Sequence, residues 1–139
     1  MKDSLKPGST HIRKLVVDTG RTISFMGEDM RVYATPSMVH DVEYACRDLL
    51  VQHHDQGEDS VGARVEIDHL APSLLGQQVT VEVRVAEVAL PRVSFEVEVK
   101  DELDTVGRAR HVRFVVDTAR QGARLAKKQE RLRAAGIIK

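Results

Sequence analysis

Between Thr35 and Leu50 apolar residues recur as Met38, Val39, Val42, Ala45, Cys46, Leu49 and Leu50, a spacing that gathers one stripe at 3.6 residues per turn. The pattern predicts a helix with one side buried. Thr35 is a suitable N-cap and Pro36 suits the first helical position. At 100° per residue, His40, Asp41, Arg47 and Asp48 fall opposite the stripe, whereas Glu43 falls at its edge beside Val39 and Leu50. Glu43 is the carboxylate out of place. The helix fades through Gln52 to Gln56, and Gly57 is a stop.

Ahead of it, residues 1–10 are polar and read as a disordered lead, Ile12 to Val17 as a strand, and Thr22 to Phe25 as a short extended piece. From Ser60 the period changes to two and holds to about Val116. Ala63, Val65, Ile67 and His69 share one face of the first long strand, with Arg64, Glu66 and Asp68 on the other. Val79 to Val85, Val93 to Val99 and Val106 to Val116 supply three more strands, separated by short turns. Consecutive strands with short turns predict an antiparallel meander. Residues 118–135, rich in Ala, Arg, Lys and Gln, predict a closing helix with a thin apolar stripe. Periodicity thus supports an α+β domain, a helix packed on an antiparallel sheet, over residues 11–117, with a basic tail over 118–139.

Composition sharpens this in two ways. The formal net charge of zero hides an asymmetry, since residues 1–117 hold 14 Lys and Arg against 20 Asp and Glu, while residues 118–139 hold 7 against Glu130 alone. An acidic body with 4% aromatic residues disfavours a nucleic-acid module. The lone Cys46 excludes an internal disulfide and fits a reducing cytoplasm; no apolar run is long enough to span a membrane.

Three polar residues are directed at the helix–sheet interface: Thr35 at the helix start, Glu43 about two turns on, and His69 on the inward strand face. The helix start also offers unpaired N–H groups where an oxyanion can be held. A hydroxyl, a carboxylate and an imidazole are the groups that activate water, or form and hydrolyse an acyl intermediate. Each alone has an ordinary account: Thr35 as a cap, Glu43 reaching to solvent, His69 as a satisfied core histidine. His53 and His54 lack ligand spacing, and no metal is called for.

The run Ala34-Thr35 through Met38-Val39 to Glu43-Tyr44-Ala45-Cys46, then Ser60-Val61-Gly62, His69 and Gly76, resembles the fluoroacetyl-CoA thioesterase-like branch of the hotdog superfamily from about Tyr33 to Val116. The resemblance implies a hotdog fold, a long central helix wrapped by a curved antiparallel sheet, here with a C-terminal helix. It implies Thr35, Glu43 and His69 as the catalytic set, Gly62 against the acyl group, and Pro36 and Arg113 as further substrate contacts, Arg113 toward the coenzyme A phosphates. It also implies a homodimer joined sheet edge to sheet edge, with dimer versus tetramer open, and no cofactor beyond coenzyme A as part of the substrate. The phenylalanine-rich lid of the fluoroacetyl-specific enzyme is missing: Gly27 to Tyr33 is short, charged and free of phenylalanine, so fluorine selectivity does not carry over. The expected activity is hydrolysis of a small or medium acyl-CoA. The rival is a hotdog that binds acyl-CoA without turnover.

Overall fold

The computed structural model describes residues 1–139. Its elements in chain order are β1 (Thr10–Val16), β2 (Thr22–Ile23), β3 (Val32–Tyr33), α1 (Thr35–Val51), β4 (Glu58–His69), β5 (Gln78–Ala89), β6 (Arg92–Lys100), β7 (Thr105–Asp117) and α2 (Thr118–Ala134). Strands β1, β5, β6, β7 and β4 form one antiparallel sheet in that order, and β2 pairs with β3 as a small hairpin. The stripe predicted for α1 is the stripe it buries: Met38, Val42, Ala45, Cys46, Leu49 and Leu50 are each 1% exposed or less. They meet Val79, Val81, Val83, Val85, Val93, Phe95 and Val99 from the sheet in one apolar cluster. Burial pushes the Cys46 thiol up, which makes it a core group and not a nucleophile. No helix is long and apolar enough to cross a membrane.

The structure departs from the sequence reading at four places. Only β5, β6 and β7 form a meander; β4 crosses over to lie beside β7, leaving one long edge of β4 unpaired. Residues 1–10 are not a disordered lead: Leu5 is 6% exposed within the core, and Lys2 N–H donates to the His53 carbonyl at 2.8 Å. A bulge between Gly62 and Arg64 leaves Ala63 outside the pairing with β7. Above it Val65, Ile67 and His69 oppose His111, Ala109 and Gly107; below it the inward positions become Gly62, opposite Arg113, and Ser60, opposite Val115. Ala63, expected inward, is exposed.

Asp41 is the fourth. Expected on the solvent side, it is fully buried, and its carboxylate accepts from Tyr33 Oη at 2.6 Å and from Arg21 Nε and Nη2 at 3.0 and 3.2 Å. Arg21 also accepts the Ala34 N–H through its carbonyl at 2.8 Å. Side chain and backbone of Arg21 therefore tie the second turn of α1 to the residue just before it. A buried charge held by three donors is tolerated; one stripped of its partner is not. Asp41→Ala, which strands Tyr33 Oη and Arg21, is expected to cost about 3 kcal/mol in urea unfolding. A loss of about 0.5 kcal/mol, the level of an exposed ion pair, would contradict this account of Asp41.

Candidate active site

Helix α1 begins at Thr35 with Ala34 as its cap residue and no side-chain cap bond. The Thr35 hydroxyl is not capping the helix, because it is bonded to His69 Nδ1 at 2.8 Å. Pro36 follows at the second helical position, where its missing N–H leaves nothing unsatisfied; it is exposed and lies outside both cavities described below. The strand leading in is fixed by its backbone, with Tyr33 N–H donating to the Ser73 carbonyl at 2.8 Å. The Tyr33 ring stands edge-on to His69, centroids 6.2 Å apart at 72°.

His69 is half-buried near the C-terminal end of β4. Its Nε2 is buried and has no hydrogen-bond partner. Burial lowers its pKa from the ordinary 6.5, and the nearby Ala71 backbone opposes that shift without reversing it. With Nδ1–H donating to Thr35 Oγ1, Nε2 holds the free lone pair that a general base requires.

Glu43 belongs to a second cluster. A Cβ built on Gly62 would come 2.5 Å from Glu43 Oε1 and 3.3 Å from His111 Cε1, so the carboxylate occupies space that only glycine leaves open. Glu43, Tyr44, Arg47, Gly62 and Arg113 line a cavity of about 210 Å³. Arg113 is 6% exposed, with Nε donating to Ser60 Oγ at 2.8 Å, Nη2 to the Ser60 carbonyl at 2.9 Å and Nη1 to His111 Nε2 at 3.2 Å. His111 is fully buried; Nδ1–H donates to the Arg64 carbonyl at 2.8 Å, so Nε2 is left to accept. Burial first, then the nearby Arg113 charge, lower the His111 pKa, against the hydrogen bond to the Arg64 carbonyl.

Arg113 thus corrects the sequence reading. It is a buried arginine that lines one cavity with Glu43, and burial lowers its pKa from the ordinary value, while Arg47 is drawn to Asp59 at 2.7 Å. At that depth it does not present itself to the phosphates of a bulky nucleotide. Its guanidinium is engaged by Ser60 and His111 within the chain. The sequence reading assigned no role to Ser60 or His111, which anchor it.

The expected three-residue convergence also changes. Thr35 and His69 touch, but Glu43 lies about 12 Å further along the axis of α1. On β4, Gly62 and His69 are separated by roughly 20 Å of strand. One chain therefore carries two clusters of candidate residues along β4: the Thr35–His69 pair at its C-terminal end, and Glu43 and Arg113 lining one cavity beside Gly62. A larger concavity, about 1020 Å³, spreads over the sheet between residues such as Glu66, Glu82, Glu96 and Arg108, and holds none of the candidate residues.

Comparison with known proteins places this geometry. The fluoroacetyl-CoA-specific thioesterase family, FlK, matches residues 17–119. The fluoroacetyl-CoA thioesterase of Streptantibioticus cattleyicolor is 28% identical over 135 residues, covering 92% of this chain and 97% of that protein. The solved structure of fluoroacetyl-CoA thioesterase FlK superposes with a TM-score of 0.82 at 28% identity, over 91% of this chain and 98% of that one. A thioesterase superfamily member from Thermus thermophilus gives 0.86 at 32% identity, over 93% of this chain and 96% of that one. With an antiparallel sheet packed around α1 and a match that spans Thr35, Glu43, Gly62, His69 and Arg113, the chain has the hotdog fold and belongs to the fluoroacetyl-CoA-specific thioesterase family.

Proposed function

We propose that this chain is an acyl-CoA thioesterase, hydrolysing a small or medium acyl-CoA to the free acid and coenzyme A without a resident metal or cofactor. The observation that carries the reading is the 2.8 Å contact between Thr35 Oγ1 and His69 Nδ1, which orients the imidazole and leaves Nε2 unpartnered. A protein that only bound acyl-CoA would have no need to hold a histidine this way.

The proposed enzyme is a homodimer. Strand β4 has one unpaired edge, and an antiparallel pairing of β4 with its copy about a two-fold axis near Val65 satisfies that edge. The same pairing brings the His69 end of one protomer beside the Gly62 end of the other. The Thr35–His69 pair of one chain then faces Glu43, Gly62 and Arg113 of its partner, and the two clusters become one site. Phe25, Met26 and Met30, exposed in the connection between β2 and β3, supply apolar surface for an acyl group; they are not the phenylalanine-rich lid of the fluoroacetyl-specific enzyme.

In the reaction, N–H groups at the start of α1 and near Gly62 polarise the thioester carbonyl oxygen. His69 Nε2 takes a proton from water as its oxygen bonds to the carbonyl carbon. Collapse of the tetrahedral species breaks the C–S bond, and the thiolate takes the proton back from His69. Glu43 either assists as the base for that water or takes an alternative route. In that route its carboxylate attacks the carbonyl carbon, the C–S bond breaks to release coenzyme A as the thiolate, and water deprotonated by His69 hydrolyses the anhydride to the free acid and Glu43.

Thiol release from a panel of short, branched and aromatic acyl-CoAs tests this. His69→Ala and Glu43→Ala are each expected to lower kcat by about a hundredfold or more on the preferred substrate, with melting temperature retained. A ligand that raises the melting temperature while nothing on the panel turns over would replace the reading with the binding module. The pH profile is a second check. His69 must be neutral to act as a base, and burial lowers its pKa, so the acidic limb of kcat/KM is expected below pH 6.5. An acidic limb above that value would contradict His69 as the base. Gly62→Ala, which drives a methyl group into Glu43 Oε1, is expected to reduce kcat by about tenfold or more while Glu43→Ala/Gly62→Ala falls no further than Glu43→Ala alone. Additive losses would separate Gly62 from Glu43.

A further inference from the structure

Helix α2 has no buried residue. It is rooted only at its start, where the Asp117 carboxylate accepts from Arg120 N–H at 2.9 Å and Thr118 N–H and Oγ1 donate to the Gly57 carbonyl at 2.8 and 3.1 Å. At 100° per residue, Arg120, Arg124, Lys127, Lys128 and Arg131 fall in one stripe, while Glu130 and Arg133 lie outside it. The stripe is about 17 Å long.

None of these five cations has a carboxylate within ion-pair distance. In the body, by contrast, Arg13, Arg21, Arg31, Arg47, Arg64 and Arg84 each have one. Like charges three and four residues apart on an unpacked helix repel one another. Of the body cations without such a bridge, Arg108 and Arg110 stand opposite Glu98 and Glu96 in the sheet, Arg113 is buried, and Lys2, Lys6 and Lys14 are dispersed, whereas α2 gathers five on one projecting face. That face starts about 13 Å of strand beyond Arg113, since β7 runs directly into α2.

We infer that the α2 stripe, chiefly Arg124, Lys127, Lys128 and Arg131, binds the 3′-phosphate and diphosphate of the coenzyme A nucleotide. The inference rests on the thioesterase reading above. Charge accounting selects the occupant. A thioester lying at the Glu43 cavity has a pantetheine arm leading outward to several phosphate charges, which the 20 carboxylates of the body repel. At the cavity itself Arg47 is paired with Asp59 and Arg113 is buried, so neither is free for them. Asp117 and Glu58 sit at the root of α2, which moves the favourable region outward from Arg120.

The test uses the full chain with Arg124, Lys127 and Lys128 changed together to Gln, which keeps helix propensity. KM for the preferred acyl-CoA is expected to rise about tenfold or more with kcat retained, and KM for the matching acyl-pantetheine, which has no nucleotide, to stay within about twofold. The rise of KM with added salt should flatten in the variant, and Arg133→Gln, off the stripe, should change neither substrate. Calorimetry with adenosine 3′,5′-bisphosphate reads the site without turnover: binding to wild type that weakens in the triple variant supports the inference even if no acyl-CoA is hydrolysed. Unchanged KM and unchanged nucleotide binding in the variant would overturn it while leaving the thioesterase reading intact. Equal losses on acyl-CoA and acyl-pantetheine with a change of oligomeric state would overturn it too, making α2 an assembly element.

Discussion

A helix enclosed by its own sheet must find a partner for every polar group it takes inside, and this constraint shapes most of the molecule. Helix α1 carries three such groups on or near its covered side, and each is met by a different part of the chain. Thr35 is met by His69 of β4, Asp41 by Tyr33 and Arg21, and Glu43 by the gap at Gly62, in a cavity it lines with Arg113. The first and third are chemically free enough to act on a substrate. The second is fully satisfied and holds the helix start in place.

The bulge at Ala63 links the fold to the chemistry. Strict alternation from His69 would bring Ala63 inward, and its methyl group would face the helix where the Glu43 carboxylate now lies. One extra residue in β4 turns Ala63 out and brings Gly62 and Ser60 in. Gly62 then clears space for Glu43, and Ser60 anchors Arg113 beside it. Independently of the bulge, β4 is the last strand of the sheet and its outer edge is unpaired in one chain.

How far the sequence disclosed this varies residue by residue. The start of α1 and its buried stripe were legible because they rest on local periodicity, although the helix ends at Val51, short of the stop read at Gly57; α2 was legible to within a residue. Gly62, Glu43 and His69 were legible as candidates, but their grouping was not, since β4 pairs with β7 across a long separation in sequence. Arg113 was readable in principle: with Arg108 and Arg110 outward on β7, alternation puts Ala109, His111 and Arg113 inward. Asp41 was not, because its position on a helical wheel looks solvated and its partners, Arg21 and Tyr33, arrive from segments no wheel contains. The bulge has no local signature beyond one glycine.

The central claim is that the catalytic set is completed between two chains, and complementation tests it most directly. His69→Ala and Glu43→Ala homodimers, each inactive, are co-refolded and the heterodimer is verified by mass. The account predicts recovery of about a quarter of wild-type kcat, because half the dimers are mixed and each mixed dimer rebuilds one intact site from the His69 of one chain and the Glu43 of the other. A verified heterodimer that stays inactive would contradict it and return the whole set to a single chain.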